Sequence, residues 1–235
     1  MEWKVLKTAP SSAEENMQFD RVLLDSLDPK GEPILHFYDW KYRSLTFGYF
    51  IQPEKLLNPS EMKEFDIARR PTGGGIIFHL WDLAFSLLIP SGSPCFFLNP
   101  LENYRWVNQV VKESIGQFLN LKEESVDLLV EPTFGDEERE GRSFFCMARP
   151  TQYDVLFRGR KVAGAAQRRK KEGFLHQGSI SLIEPEEEVL TSLLLSTEIK
   201  EEMIKTTFPL LKERAHLREG RREMEQLLKK NFLAL

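Results

Sequence analysis

Apolar positions first recur at helical spacing between Ser12 and Leu27, where Met17, Val22, Leu23 and Leu24 share a face. Ser11 or Ser12 supplies an N-cap, and Glu14 and Glu15 suit the positive end of the helix. The turn Asp28-Pro29-Lys30-Gly31 ends it. Alternating runs then predict strands over Pro33–Tyr38 and Ser44–Phe50, and two short helical turns over Pro53–Phe65 broken at Asn58-Pro59. A short strand, Ile67–Arg70, leads into Gly73-Gly74-Gly75, and Gly75–His79 with Leu83–Ile89 reads as a strand pair around a tight turn. After the loop Ser91–Pro100 the period returns to helical from Leu101 to about Leu119, and Val126–Val130 is again strand-like. Gly135–Arg142 is a dense run of charges bracketed by glycines and is expected to be an exposed loop. Phe144–Met147, Tyr153–Phe157, Lys161–Ala166 and Phe174–Leu182 alternate as strands, and Glu186–Leu195, Ile199–Leu211 and Arg221–Phe232 follow a helical period. Helix, strands, helix, strands and then helices make an α+β pattern with a mixed β-sheet core flanked by helices.

Composition narrows the classes. With 235 residues, 41% hydrophobic and 29% charged, the chain has enough material for a packed core and does not resemble a disordered segment. The net charge of −4 argues against nucleic acid as the main partner. The opening residues mix charge with apolar side chains and predict no secretory leader, and the longest apolar run, near Leu83–Pro90, is too short for a membrane span. Two cysteines, Cys95 and Cys146, are too few for a disulfide framework and too far apart for a CxxC site. A soluble, cytoplasmic enzyme with no metal site of its own is the expectation.

Three segments carry candidate chemistry. In Arg69-Arg70-Pro71-Thr72-Gly73-Gly74-Gly75-Ile76-Ile77-Phe78-His79, three successive glycines between strands let a backbone approach a ligand without Cβ interference. The arginine pair adds charge suited to phosphate or carboxylate. No Gly-Lys-Ser/Thr follows, so this is not a P-loop. In Lys161-Val162-Ala163-Gly164-Ala165-Ala166-Gln167-Arg168, small residues are odd on a strand unless something packs over them, and Lys161 is placed to reach past them. In His176-Gln177-Gly178-Ser179-Ile180 a lone histidine is more often structural, and Cys146 by itself reads as a small buried hydrophobe.

Together these segments resemble the lipoate-protein ligase A and octanoyltransferase family of the biotin/lipoate ligase superfamily. The resemblance rests on Glu15-Asn16-Met17…Asp20, Leu35-His36-Phe37-Tyr38…Ser44-Leu45-Thr46-Phe47-Gly48, the glycine block through His79, Lys161-Val162-Ala163-Gly164, and Gly178-Ser179-Ile180. It implies a lipoate/biotin ligase-like catalytic domain over residues 1–185 and a C-terminal helical extension, 186–235, packed on it. It implies that Arg70, Gly73, Gly74, Gly75, His79 and Gly164 bind the acyl group or its adenylate, and that Lys161 donates to the activated carbonyl. The acceptor is a lysine on a lipoyl domain of a 2-oxoacid dehydrogenase or of the glycine cleavage H protein.

Two chemistries exist within that family. Cysteine octanoyltransferases take octanoate from acyl carrier protein through an enzyme thioester and need no cofactor, whereas ligases activate free lipoate or octanoate with ATP and Mg. Cys146-Met147-Ala148-Arg149-Pro150-Thr151-Gln152-Tyr153-Asp154, fifteen positions ahead of Lys161, resembles the transferase nucleophile block. The third glycine, Gly75, is ligase-like, and the family histidine before Gly-Ser is displaced, with His176 one place early and Gln177 beside the glycine. Cys146 and Lys161 are the expected catalytic pair, and both chemistries stay open. Phe47, Phe50, Ile76, Phe78 and Leu83 are candidates for lining an acyl tunnel.

Overall fold

A computed structural model describes residues 2–121, 126–131, 145–148 and 150–235. Among these residues ten strands form two sheets. The larger has seven strands in the order β1-β2-β6-β10-β9-β8-β7, and the smaller three in the order β4-β3-β5. Their ranges are β1 Lys4–Lys7, β2 Ile34–Phe37, β3 Ser44–Phe47, β4 Asp66–Arg69, β5 Ile76–Phe78, β6 Asp82–Pro90, β7 Val126–Leu128, β8 Val155–Phe157, β9 Arg160–Arg169 and β10 Gly173–Ser181. Both sheets are mixed: β1 runs parallel to β2 and β3 parallel to β4, while β2, β6, β10, β9, β8 and β7 pair antiparallel in turn. The α+β expectation holds.

Helix α1, Ala13–Asp25, starts as its sequence requires. Ser12 accepts from the Glu15 N–H while the Glu15 carboxylate accepts from the Ser12 N–H, a complete capping box. Its buried face, Ala13, Met17 and Leu24, covers one side of the large sheet. Helices α3, Pro100–Phe118, and α6, Leu217–Leu233, cover the other side, where Val107, Val111, Ile115, Met224, Leu228 and Phe232 meet Phe85, Leu87 and Phe174. Every residue of β6 and β10 is buried, because helices cover both faces of the sheet centre.

A second core lies between the small sheet and helices α4, Glu187–Leu193, and α5, Thr197–Thr206. Leu45, Phe47, Ile76, Phe78 and Trp81 pack there with Phe145, Ile183, Leu190, Leu193 and Met203. The segment after residue 186 therefore contributes side chains to both large cores.

Several sequence expectations need correction. The strand β1 was not expected; it adds in parallel to β2 at the sheet edge. The runs 75–79 and 83–89 are strands but not partners. Strand β5 pairs with β3 in the small sheet and β6 with β2 and β10 in the large one, so the turn His79-Leu80-Trp81 carries the chain between sheets. At 144–147 a single bridge, Ile76 with Phe145, is followed by a turn rather than a strand; Phe144 and the charged stretch 135–142 lie outside the described residues. Strand β3 stops at Phe47, since Gly48 onward curls against the glycine loop. Among the described residues no helix is long and apolar enough to cross a membrane.

Candidate active site

The glycine loop joins β4 to β5, both hydrogen-bonded to β3, and is held close to that central strand. The Arg70 N–H donates to the Phe47 carbonyl at 2.8 Å, and a Cβ on Gly48 would stand 1.9 Å from the Gly74 oxygen. Only glycine at 48 permits this approach. Gly74 has φ +84°, and a Cβ there would press on an Arg70 nitrogen at 3.3 Å, the Cys146 sulfur at 3.3 Å and Ala166 at 3.5 Å. The Arg70 side chain folds under the loop. Its Nη2 donates to the Gly73 and Gly75 carbonyls at 3.0 and 2.6 Å, and Nη1 donates to Thr46 Oγ1 at 2.9 Å. Burial pulls this guanidinium below its ordinary pKa, while the Cys146 sulfur and Tyr38 pull the other way.

Cys146 meets the loop from the opposite side. Its N–H donates to the Ile76 carbonyl at 3.2 Å, and its Sγ accepts from the Gly75 N–H at 3.0 Å with Arg70 Nη2 at 3.9 Å. Thr206 Oγ1 supports the next residue by donating to the Met147 carbonyl at 2.8 Å. The end of α5, in the segment expected only to pack on the domain, thus props the cysteine turn.

Lys161 is 3% exposed, and its ammonium sits between the Asp154 carboxylate at 2.6 Å and the Cys146 main-chain carbonyl at 2.6 Å. The small residue at 164 is explained by this contact. A Cβ on Gly164 would lie 2.5 Å from Lys161 Cε, 2.7 Å from Nζ and 2.9 Å from Asp154 Oδ1. What packs over Gly164 is the lysine's own stem. Asp154 is fully buried and also accepts from Tyr104 Oη at 2.6 Å and from the Thr151 N–H at 2.6 Å. Burial raises the Tyr104 phenol well above its ordinary pKa, and the neighbouring carboxylate adds to this, so Tyr104 stays a donor.

Behind this front lie two buried polar clusters. His79 uses both ring nitrogens, Nδ1 with Asp82 at 2.9 Å and Nε2 with Thr46 at 2.8 Å, and its face stacks on Trp40 at 4.0 Å. Neither nitrogen is left for an acyl carbonyl. On the other flank, Thr72 donates to Gln177, which donates to Asp20, itself paired with His36 and Ser86. Gln177, where the family pattern puts histidine, therefore anchors the glycine loop. His176 is fully buried against Phe85 and Tyr104, with Nδ1 on Gln167 and Nε2 without a partner among the described residues. Burial lowers its pKa to about 3, so the ring is neutral.

The fold thus brings together Cys146, Arg70 and Gly73–Gly75, sets Lys161 against the cysteine backbone over Gly164, and places His79 behind Arg70. Thr46, Asp82, Asp154, Tyr104 and Gln177 were not singled out as site residues. Asp154 alone had a usable signal, a buried partner being required for a buried lysine. The apolar set expected to line a tunnel is divided: Phe50 is 89% exposed and Leu83 belongs to the large-sheet core, whereas Phe47, Ile76 and Phe78 pack in the small-sheet core, where Ile76 and Phe78 line a narrow cavity with Trp81 and Met203. Instead an open cavity of about 350 Å³, lined by Pro100, Leu101, Tyr104, Thr151, Gln152 and Gln167, lies beside the Asp154 cluster.

Comparison with known proteins identifies the family and the fold. The model of the lipoyl protein ligase A/B catalytic domain matches residues 12–227. The octanoyltransferase LipM of Anoxybacillus flavithermus is 32% identical over 203 residues, covering 81% of this chain and 69% of that protein. Among solved structures, lipoate-protein ligase A bound with ATP superposes with a TM-score of 0.68 at 21% identity, covering 99% of this chain and 94% of the other. A bi-partite lipoate protein ligase studied with its E2 lipoyl domain, from Thermoplasma acidophilum, gives 0.68 at 20% identity, covering 99% and 92%. At those identities the two structures establish the fold.

Proposed function

This chain belongs to the lipoyl protein ligase A/B catalytic domain family, and from that premise we propose that it is an octanoyltransferase of protein lipoylation working through a thioester on Cys146. One observation carries the reading: the Cys146 sulfur lies in the glycine loop, 3.0 Å from the Gly75 nitrogen and 3.9 Å from the Arg70 guanidinium. A thiolate, not a thiol, is the nucleophile in such chemistry.

In the first half-reaction Cys146 Sγ attacks the carbonyl of an octanoyl thioester on acyl carrier protein. The carbonyl electrons move to oxygen, then return as the carrier's thiolate leaves and is protonated by solvent. In the second, the neutral ε-amine of a lipoyl-domain lysine attacks the Cys146 thioester, an amide forms, the Cys146 thiolate departs, and the amine loses its proton. Cys146 thus alternates between nucleophile and leaving group. Donors fixed in a site with little water stabilise both tetrahedral oxyanions. Here the Gly75 N–H is the donor nearest the reacting sulfur, the Arg70 guanidinium adds positive charge beside it, and Lys161 holds the cysteine backbone while its positive charge lies alongside.

Relatedness to LipM proteins supports the transfer reading, and the E2 lipoyl domain studied with the Thermoplasma ligase supports a lipoyl-domain acceptor. A cytoplasmic setting suits the mechanism, because it keeps Cys95 and Cys146 as free thiols. The cavity beside Tyr104 and Gln167 is of the size small ligands occupy, and we assign the acyl chain to it.

The second reading is ATP-dependent ligation through an acyl-adenylate. The triple glycine favours it, together with a fold shared with an ATP-bound ligase. Incubation with octanoyl-carrier protein alone separates the two: the transferase gains one hydroxylamine-sensitive octanoyl group on Cys146, whereas a ligase gains none and needs ATP.

A further inference from the structure

We infer that Thr46, His79 and Asp82 are positioning residues for acyl transfer, a buried hydrogen-bonded chain that fixes the Arg70 guanidinium against the Cys146 sulfur. The inference rests on the reading of Cys146 as the nucleophile.

The contacts run without a break from Asp82 to Arg70. Asp82 Oδ2 accepts from His79 Nδ1 at 2.9 Å and from Ser179 Oγ at 2.6 Å. His79 Nε2 and Thr46 Oγ1 are hydrogen-bonded at 2.8 Å, with the direction set by the histidine tautomer. The Thr46 oxygen accepts from Arg70 Nη1 at 2.9 Å. The other guanidinium nitrogen, Nη2, holds the Gly73 and Gly75 carbonyls and faces the sulfur at 3.9 Å. The Thr46 hydroxyl thus joins the histidine to the arginine through one oxygen.

Burial makes the chain demanding. Thr46, Arg70, His79 and Asp82 are 0%, 3%, 6% and 5% exposed. A planar guanidinium needs its acceptors in fixed places, and out of water a lost partner is not replaced. Asp82 opens β6 in the large sheet while Thr46 lies on β3 in the small one, so the chain crosses the gap between sheets at the glycine loop. The carboxyl is drawn upward by burial, but His79, Ser179 and Arg221 outweigh this and hold it below the ordinary carboxylate value. A purely structural bridge is satisfied by apolar side chains of similar volume. This one ends on the cation that faces Cys146.

The test compares Thr46→Val, which keeps the shape and removes the hydroxyl, with Thr46→Ser, which keeps the hydroxyl. Both are made in Cys95→Ala protein, and the rate of Cys146 alkylation by iodoacetamide is read at neutral pH, with thermal unfolding as the control. Thr46→Val is expected to slow alkylation and thioester formation about tenfold, the size of one disturbed interaction near 1.4 kcal/mol. Thr46→Ser should restore the rate to within about threefold, on the same scale of small free-energy differences. Should Thr46→Val fail to fold, His79→Gln is expected to show the same slowing. Alkylation at the parent rate in Thr46→Val, or equal slowing in Thr46→Ser, overturns the inference. Alkylation needs no acyl donor, so a parent protein that alkylates as expected but gains no octanoyl group contradicts the thioester reading and leaves the positioning result legible.

Discussion

Lys161 meets Cys146 through the cysteine's own backbone: its Nζ donates to the Cys146 carbonyl oxygen at 2.6 Å while the Asp154 carboxylate holds it from the other side at 2.6 Å. The lysine thereby fixes where the cysteine sits as well as contributing charge. Its stem crosses Gly164 so closely that no side chain fits there.

Lys161→Ala is expected to abolish acyl transfer with either donor, a loss of at least ~100-fold of the kind seen when one fixed donor is removed. Arginine should not rescue it, because a planar fork does not fit between one carboxylate and one carbonyl. Gly164→Ala should mimic the loss with lysine still present, since the added methyl displaces the ammonium. Steady-state transfer assays on the three variants check this, and normal turnover in Gly164→Ala contradicts it.

Gly74→Val should abolish transfer and leave an otherwise folded protein. The position combines a left-handed φ with contact to both the cysteine sulfur and Arg70, so the new side chain lands on the reacting atoms. Circular dichroism and unfolding temperature read the fold, and the transfer assay reads the site. Activity near the parent level places the reacting sulfur elsewhere.

Sequence alone revealed the glycine loop, the Cys146 and Lys161 blocks and most elements, because each carries a local signature of turn chemistry, period or spacing. It did not reveal which strands pair. Residues 75–79 and 83–89 look like a hairpin until the packing of Trp81 and the pairing of β6 with β10 send them to different sheets. Nor did it reveal partners distant in the chain. Asp154 for Lys161, Thr46 for Arg70 and Gln177 for Thr72 are ordinary polar residues until the fold buries them together. His79 was legible as important, but its task was not. Its position in the motif says nothing of Thr46, whose hydroxyl is bonded to its Nε2.

His176 makes a pH prediction separate from catalysis. Burial lowers its pKa to about 3 from an ordinary 6.5, so below pH 6.5 the unfolded chain takes up a proton that the folded chain refuses. Stability from this residue is therefore complete above pH 6.5 and falls as the pH drops from 6.5 toward 3. His176→Asn keeps an acceptor for Gln167 and does not titrate. Its unfolding temperature should fall less steeply than the parent's between pH 6.5 and 4, by about 3 °C per pH unit, from at most ~1.4 kcal/mol per unit. Identical slopes contradict a neutral buried imidazole.

Cys146 is the centre of the account, and intact-mass spectrometry after incubation with octanoyl-carrier protein, without ATP, tests it most directly. The account predicts a gain of one octanoyl group, removed by hydroxylamine, absent from Cys146→Ala and Cys146→Ser, and unchanged in Cys95→Ala, whose thiol burial pushes up in pKa. A lipoyl domain added afterwards should take the group from the enzyme. If Cys146→Ala instead modifies the lipoyl domain at the parent rate with lipoate, Mg²⁺ and ATP, the thioester mechanism is wrong and the chain is a ligase.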